Sequence, residues 1–304
     1  MEVCGFNHWL LVLLHRFECR RVVLVQPEKR SKQKTDRRDA YHLGALLWVN
    51  RARLLAGKRV DCLRVVQPAP PRDEAARQLT ELRKRIVRRR TRTINSVHHL
   101  LLKHNLRQEC PTRAIKTKRA RHWLRKLQLP PIDRLEMDQL LDQWELWDSQ
   151  LKPVDAEIVR RQAEHEDAVL LSTIPGAAAY SSLSLAARVS GVERFARPDS
   201  LANFWGLVPG SNSSGNSTRI GSITKQGSAH ARFILGQLVL HVLKRDPRMR
   251  EWYRRIKLRR GSKIARVAVM RRLTCVIWHM LKRRQPYVIG RPLPSGVQER
   301  LAIA

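Results

Sequence analysis

Apolar positions in the first 66 residues change their repeat several times. Trp9, Leu10, Leu11, Val12, Leu13 and Leu14 form a dense cluster that predicts a helix over Asn7–Phe17. The β-branched run Arg21-Val22-Val23-Leu24-Val25 predicts a short strand that stops at Gln26-Pro27. Leu43, Leu46 and Leu47 return to helical spacing within Asp39–Val49, and Cys62–Val66 predicts a second strand, closed by the cluster at Pro68–Pro71. The expectation for residues 1–70 is therefore an α/β unit.

After Pro71 the pattern becomes purely helical. Leu79, Leu82, Ile86, Ile94, Val97 and Leu101 recur at three- and four-residue steps, with Asp73 and Glu74 in the favourable first turn. Basic side chains crowd the other faces from Arg83 to Arg92, and the positive run resumes from Arg113 to Lys126. The sign then reverses. Asp133–Asp167 holds eleven of the chain's 26 acids around an apolar stripe of Leu140, Trp144, Trp147 and Leu151. Residues 71–166 thus read as a long coiled-coil-like helical hairpin whose acidic return helix neutralises part of the basic one.

Residues 167–287 read as a mostly α-helical C-terminal domain. Asp246-Pro247 is an N-cap followed by proline at the first helical position. Gly261-Ser262 ends one helix and caps the next, and the last helix runs through Ala265, Ala268, Arg272, Leu273, Ile277 and Leu281. Residues 288–304 read as a loose tail. No internal repeat is visible, and the chain is predominantly helical overall.

Charge narrows the functional classes. Among 304 residues, 60 Lys and Arg oppose 26 Asp and Glu, a net charge of +34 and a pI near 11.4. With 43% hydrophobic residues and eight Trp, this is a folded chain and not a basic tail. A folded chain this positive meets a polyanion, with nucleic acid the default. No apolar run is long enough to span a membrane. Five widely spaced cysteines without a C-x-x-C pair point to a reducing cytoplasm and against a disulfide framework or zinc knuckle.

Three segments are candidates for chemistry. Asp36 and Asp39, three apart at a helix start, share one face and suit a hard cation such as Mg²⁺; equally, Asp36 is an N-cap and Asp39 complements the helix dipole. Glu2 is the one early acid placed to join them, or else a solvated terminal residue. Gly206–Ser228 reads as a flexible Gly/Ser/Asn loop, yet Arg219, Lys225 and Arg232 punctuate it, and a serine there could attack phosphorus if a base or metal came from elsewhere. Leu171–Ala177 reads either as one arm of a helix-hairpin-helix or as ordinary helix packing. His98, His99 and His104 lack the spacing of a zinc site.

Taken together, Met1-Glu2-Val3-Cys4-Gly5, Gln26-Pro27, Lys34–Ala40, the basic helix, Thr173-Ile174-Pro175-Gly176, Phe204–Pro209, Ser214-Gly215 and Ile223–Gly227 resemble the DEDD transposases of the insertion sequence one-ten family. The resemblance implies a RuvC-like (RNase H-like) first domain and a serine-bearing C-terminal transposase domain. It implies that Glu2, Asp36 and Asp39 hold Mg²⁺ and that Ser214, with Ser213 as fallback, is the nucleophile on a DNA phosphodiester. It also implies a structured guide RNA, a homo-oligomer, and a cytoplasmic, nucleoid-associated location with no membrane. Arg83, Lys84, Arg88, Arg89, Arg219, Lys225 and Arg232 are the expected nucleic-acid contacts. The family places its first aspartate on a strand before the residue matched by Glu2, so an N-terminally truncated form with impaired strand transfer is expected. The competing expectation is a non-catalytic nucleic-acid-binding remnant; a ribosome-associated structural protein fits the acidic helix and Ser-Gly segment less well.

Overall fold

The computed structural model describes residues 1, 7–19, 22–26, 35–58, 60, 63, 65–214 and 217–290. The chain divides into two compact units, Met1–Ala69 and Pro70–Ala304.

The first unit holds α1 (Asn7–Arg16) and α2 (Asp36–Leu55). Both helices stand where the apolar spacing puts them, with α2 longer at each end than predicted. The two expected strands meet, among the described residues, at one antiparallel bridge between Val25 and Val65, supported by Val66 N donating to Leu24 O at 2.8 Å. Met1 lies beside them, its carbonyl accepting from Val25 N at 2.8 Å and its amino group donating to Val23 O at 3.0 Å. Among the described residues of this unit, Leu24, Val25, Leu54 and Val60 are buried.

The second unit opens with α3 (Pro71–Lys103), followed by α4 (Lys118–Lys126) and α5 (Pro131–Ala163). Proline at the first position of α3 and of α5 sets φ for helix entry where no N–H is needed. The two long helices run antiparallel, and their ion pairs fix the register. Arg83 meets Asp155 at 2.5 Å, Arg90 meets Asp148 at 2.7 Å, and Lys103 meets Asp133 at 2.7 Å. Between them the ends of α3 and α5 enclose Ile94, Val97, Leu100, Leu101, Met137, Leu141 and Trp144, closed by Leu124 of α4. Arg121 of α4 stacks 4.3 Å above the Trp144 ring and pairs with Asp148, so one carboxylate ties three helices.

The opposite ends of α3 and α5 enter a larger core. Ala76 and Ile158 pack there with residues of α6 (Glu166–Leu171), α7 (Ala179–Val189), α8 (Pro198–Phe204), α9 (Ala229–Arg245) and α10 (Pro247–Arg283). Asp246 caps α10 by accepting from Met249 N at 3.1 Å. Gly261, at φ 80° and ψ 167°, breaks α10 where the sequence places the junction of two helices. The turn between α6 and α7 is a packing element: Gly176 sits at φ +85°, where an added Cβ would lie 2.4 Å from the His241 ring. The Ala177 and Ala178 amides bond within the turn, so the ordinary-packing reading of this segment holds.

The Gly/Ser/Asn stretch departs from its expected loop character. Residues Pro209–Ser214 (β1) and Ser217–Ile223 (β2) pair antiparallel, from Pro209 opposite Ile223 to Ser214 opposite Ser217, with an irregularity between Pro209 and Ser211. Composition suggested flexibility; cross-strand backbone pairing supplies the order.

Candidate functional site

In the two-stranded ribbon Ser213 and Ser214 occupy the end of β1, opposite Thr218 and Ser217 in the backbone register. Gly215 lies outside the described residues. The base of the ribbon is a close backbone crossing. An added Cβ on Gly206 would stand 2.1 Å from Gln226 O, and one on Gly227 would stand 2.0 Å from Phe204 O. Only glycine allows this approach, and both residues have positive φ. Thr224 N donates to Val208 O at 2.9 Å and Lys225 N to Gly206 O at 3.1 Å. Arg232 of α9 clamps the crossing from the side, its Nη1 donating to Trp205 O at 2.9 Å and Gly227 O at 3.2 Å. Burial lowers the pKa of this guanidinium. Trp205 itself is fully buried, so the crossing is rooted in the core.

The ribbon leads directly into α9, and the start of α9 is held by a buried polar network. Ser228 caps the helix, its hydroxyl accepting from Ala231 N at 3.1 Å. Two residues on, His230 Nδ1 meets Glu81 Oε1 at 2.5 Å, and its Nε2 meets the Tyr180 hydroxyl at 2.9 Å. Arg188 Nη2 donates to the same Glu81 oxygen at 3.0 Å, while its Nη1 donates to Ser184 O at 3.0 Å and Thr80 Oγ1 at 3.2 Å. Burial works to raise the Glu81 pKa, but His230 and Lys84 outweigh it and hold the carboxyl at about 2. Burial and the Arg188 charge push the His230 imidazole down. Burial raises the Tyr180 phenol. These residues fix α3, α7 and α9 relative to one another, and α9 is the helix that follows the ribbon in the chain. Sequence reasoning missed them, since Glu81 and His230 stand 149 residues apart.

The expected acidic site is spread differently. Glu2 lies outside the described residues. Asp36 and Asp39 occupy the first turn of α2, but Thr35 is the N-cap, its side chain accepting from Arg38 N at 3.4 Å. The N-cap reading of Asp36 is thereby corrected. Asp36 is exposed and Asp39 half-buried. Two carboxylates offer the oxygen chemistry that Mg²⁺ prefers but only part of a coordination shell. Among the described residues no group of three or more His, Cys, Asp or Glu gathers into a metal-binding cluster. The aspartates belong to the first compact unit and Ser214 to the second.

The basic residues divide into engaged and available sets. Arg83 pairs with Asp155 and stacks 4.5 Å from the Tyr180 ring, and Lys84 pairs with Glu81 at 3.3 Å. Arg88 and Arg89 are exposed, Arg89 with its guanidinium 5.4 Å from the Trp147 ring, and share one face of α3 with exposed Arg85 and Arg92. Lys225 is exposed, and Arg219 stands opposite Asn212 in the ribbon. The sequence reading overlooked a second basic surface. In the first half of α10, Arg254, Arg255, Lys257, Arg259, Arg260 and Lys263 are all exposed, with Glu251 the single acid between Pro247 and Lys263. Acids on α5 answer the basic residues of α3; nothing comparable in the chain's charge pattern answers this arm. The signal was available in the local net charge of residues 248–263.

Comparisons with known proteins place the ribbon within a segment shared with a family. Residues 168–254, from α6 through the ribbon to the start of α10, match the family model described as the transposase IS116/IS110/IS902 family. The matches support an IS110-family transposase, the family whose motifs the sequence resembles. The chain is 27% identical over 303 residues to the transposase for insertion sequence element IS1111A of Coxiella burnetii, covering 95% of this chain and 79% of that protein. It is 25% identical over 307 residues to a probable family 20 transposase of Pseudomonas aeruginosa, covering 95% and 85% respectively. With the transposase for insertion sequence element IS1328 of Yersinia enterocolitica the identity is 24% over 217 residues, which is 70% of this chain and 64% of that relative. No described helix is long and apolar enough to cross a membrane.

Proposed function

We propose that this transposase cuts and rejoins DNA through a serine nucleophile on the β1–β2 ribbon, Ser214, with Ser213 as the neighbouring alternative. The observation that carries the reading is the ribbon itself: a Ser-rich strand end on a rigid glycine crossing, within the matched family segment. A nucleophile gains most from a support that fixes its position. In the proposed step the serine oxygen forms a bond to phosphorus, one P–O ester bond breaks, and the serine proton passes to a base while the departing alkoxide is protonated. Reversal by a different DNA hydroxyl rejoins the strand.

Asp36 and Asp39, with Glu2, are proposed to hold Mg²⁺. When bound, that ion would offset the charge developing on the phosphoryl oxygens. This role places a RuvC-like function on the first unit. The exposed arginines of α3 and of the α10 arm are proposed to grip the sugar-phosphate backbone of DNA and of a structured guide RNA, whose A-form helix is recognised through backbone and shape. The resemblance further suggests a homo-oligomer, in which serine and carboxylates of different copies can meet.

The test is a covalent one. Incubation with element-end DNA, guide RNA and Mg²⁺ should give a protein–DNA species that survives denaturant and disappears in Ser214→Ala. An adduct of equal yield in Ser214→Ala and in Ser213→Ala would refute the assignment. Salt-sensitive binding with no adduct in the unaltered protein would instead favour a nucleic-acid-binding remnant without catalysis.

A further inference from the structure

Away from the ribbon, between α3, the end of α5 and α7, lies a cavity of about 190 Å³ lined by Arg72, Ala76, Arg160, Arg161, Glu164, His165 and Leu183. Three of its seven lining residues are arginines, and one is acidic. Arg160 is fully engaged: it meets Glu157 with Nε at 2.8 Å and Nη2 at 2.7 Å, and Glu164 with Nη1 at 2.6 Å. Arg161 meets Glu157 through Nε alone, at 2.6 Å, and Arg72 reaches the Glu164 carbonyl through Nη2 alone. The terminal nitrogens of Arg161 and the remaining nitrogens of Arg72 have no protein partner among the described residues.

His165 supplies the second, independent sign of a missing ligand. Its side chain is nine-tenths buried. Nε2 lies 3.1 Å from Asp73 Oδ1, and the other Asp73 oxygen accepts from Ser190 Oγ at 2.7 Å. A carboxylate only accepts, so Nε2 carries the hydrogen and Asp73 fixes the ring. Nδ1 is buried and has no hydrogen-bond partner among the described residues. A buried orphan calls for a physical account, and among those of this chain His165 Nδ1 belongs to a residue that lines a cavity beside two arginines.

We infer that this cavity is a phosphate-binding site, built from Arg72, Arg161 and His165 Nδ1 and separate from the serine ribbon. Forked guanidinium donors match phosphate oxygens. The imidazole nitrogen suits the same group in either protonation state, since a phosphate near neutrality offers both P–O⁻ and P–OH. The space falls below the roughly 300–1,000 Å³ of ordinary small-molecule pockets, so it admits a phosphate group but not a whole nucleotide. The group can arrive as inorganic phosphate or as part of a nucleic-acid strand.

With a net charge of +34, bulk phosphate uptake would be uninformative, so the readout must be local. The His165 ring nitrogens of the full chain should be followed by NMR while inorganic phosphate replaces chloride at constant ionic strength. A saturable shift of Nδ1 is expected. Arg161→Gln and Arg72→Gln, both at accessible positions, should each weaken it by about tenfold, the usual effect of losing a charged hydrogen bond. A short DNA strand tested with and without a 5′-phosphate separates the sources. A shift given by both strands identifies the backbone, one given only by the phosphorylated strand identifies the strand end, and one given by neither leaves inorganic phosphate as the ligand. No saturable shift with inorganic phosphate or either strand, or equal shifts in the wild-type chain and both variants, would overturn the site. Neither result depends on whether Ser214 is the nucleophile.

Discussion

Glu81 and His230 meet at 2.5 Å across 149 residues of sequence, joining the N-terminal part of α3 to the first turn of α9. Arg188 shares the same carboxylate oxygen, and its own side chain is almost wholly buried. Removing Glu81 therefore leaves a buried guanidinium without its counter-ion. Loss of one partner of a fully buried pair typically costs about 3–5 kcal/mol. The Glu81 side chain is 38% exposed, so water relieves part of that loss and Glu81→Ala should cost about 2 kcal/mol. An unchanged midpoint in urea would show that the network does not stabilise the fold. The pH dependence has a definite sign. A carboxyl held at about 2 contributes stability above its ordinary value of 4.5, and that contribution fades as pH falls from 4.5 toward 2. In Glu81→Ala, stability should fall less steeply across this window.

The ribbon's rigidity has its own test. Gly227→Ala drives a methyl group toward Phe204 O at a φ of +101°. The main chain must shift, and we expect a loss of at least ~2 kcal/mol together with faster proteolysis between residues 206 and 228. Gly210→Ala is the control, since its added Cβ would meet Ser222 O at an ordinary 3.5 Å. Equal proteolysis of the two variants would argue against a fixed crossing.

Charge on α3 and α10 should separate into two classes of effect. Replacing Arg254, Arg255, Arg259 and Arg260 by Gln should weaken DNA binding and reduce the slope of log K against log salt by about 0.9 for each phosphate no longer neutralised. Arg83→Gln should leave that slope unchanged and lower thermal stability through removal of the Asp155 pair. Fluorescence anisotropy at several salt concentrations measures the slopes, and thermal melts measure the stability. A slope change of equal size in Arg83→Gln would mean that the α3–α5 pairing opens on binding.

Asp36→Asn distinguishes metal binding from helix support. Thr35 already caps α2 and Asp36 is exposed, so stability should change by no more than about 1 kcal/mol, the ceiling for a first-turn dipole effect. DNA cleavage should fall by more than about tenfold and recover partly with Mn²⁺, if the carboxylate holds the ion. Full cleavage by Asp36→Asn would remove it from the proposed metal set.

Much of the helical framework was legible in the chain. The apolar steps from Leu79 to Leu101 and the stripe from Leu140 to Leu151 describe helices that bury Ile94, Val97, Trp144 and Leu151. The sign reversal at Asp133 anticipated their pairing, though not which arginine meets which aspartate. The ribbon was illegible because its order comes from cross-strand pairing and from two glycines packed against distant carbonyls, and local composition records neither. Asp73 shows the same limit. Its position favours a helix start, and the structure gives it the further task of holding His165 and Ser190. The candidate serine comes from resemblance alone, whereas the network of Glu81, Arg188 and His230 at the start of α9 appears only in three dimensions.

Gly261 divides α10 into an outward, cationic half and an inward half containing Val269, Leu273, Ile277 and Leu281. No described atom crowds it; an added Cβ there would meet nothing within 4 Å. The six solvent-facing positive charges thus stand on a helix half held at both ends: Met249, Trp252 and Tyr253 pack into the core at its start, and the Gly261 turn closes it. Because Arg272 of the second half also stacks 4.5 Å from the Trp252 ring of the first, the spacing of those charges is a property of the core and not of the turn alone.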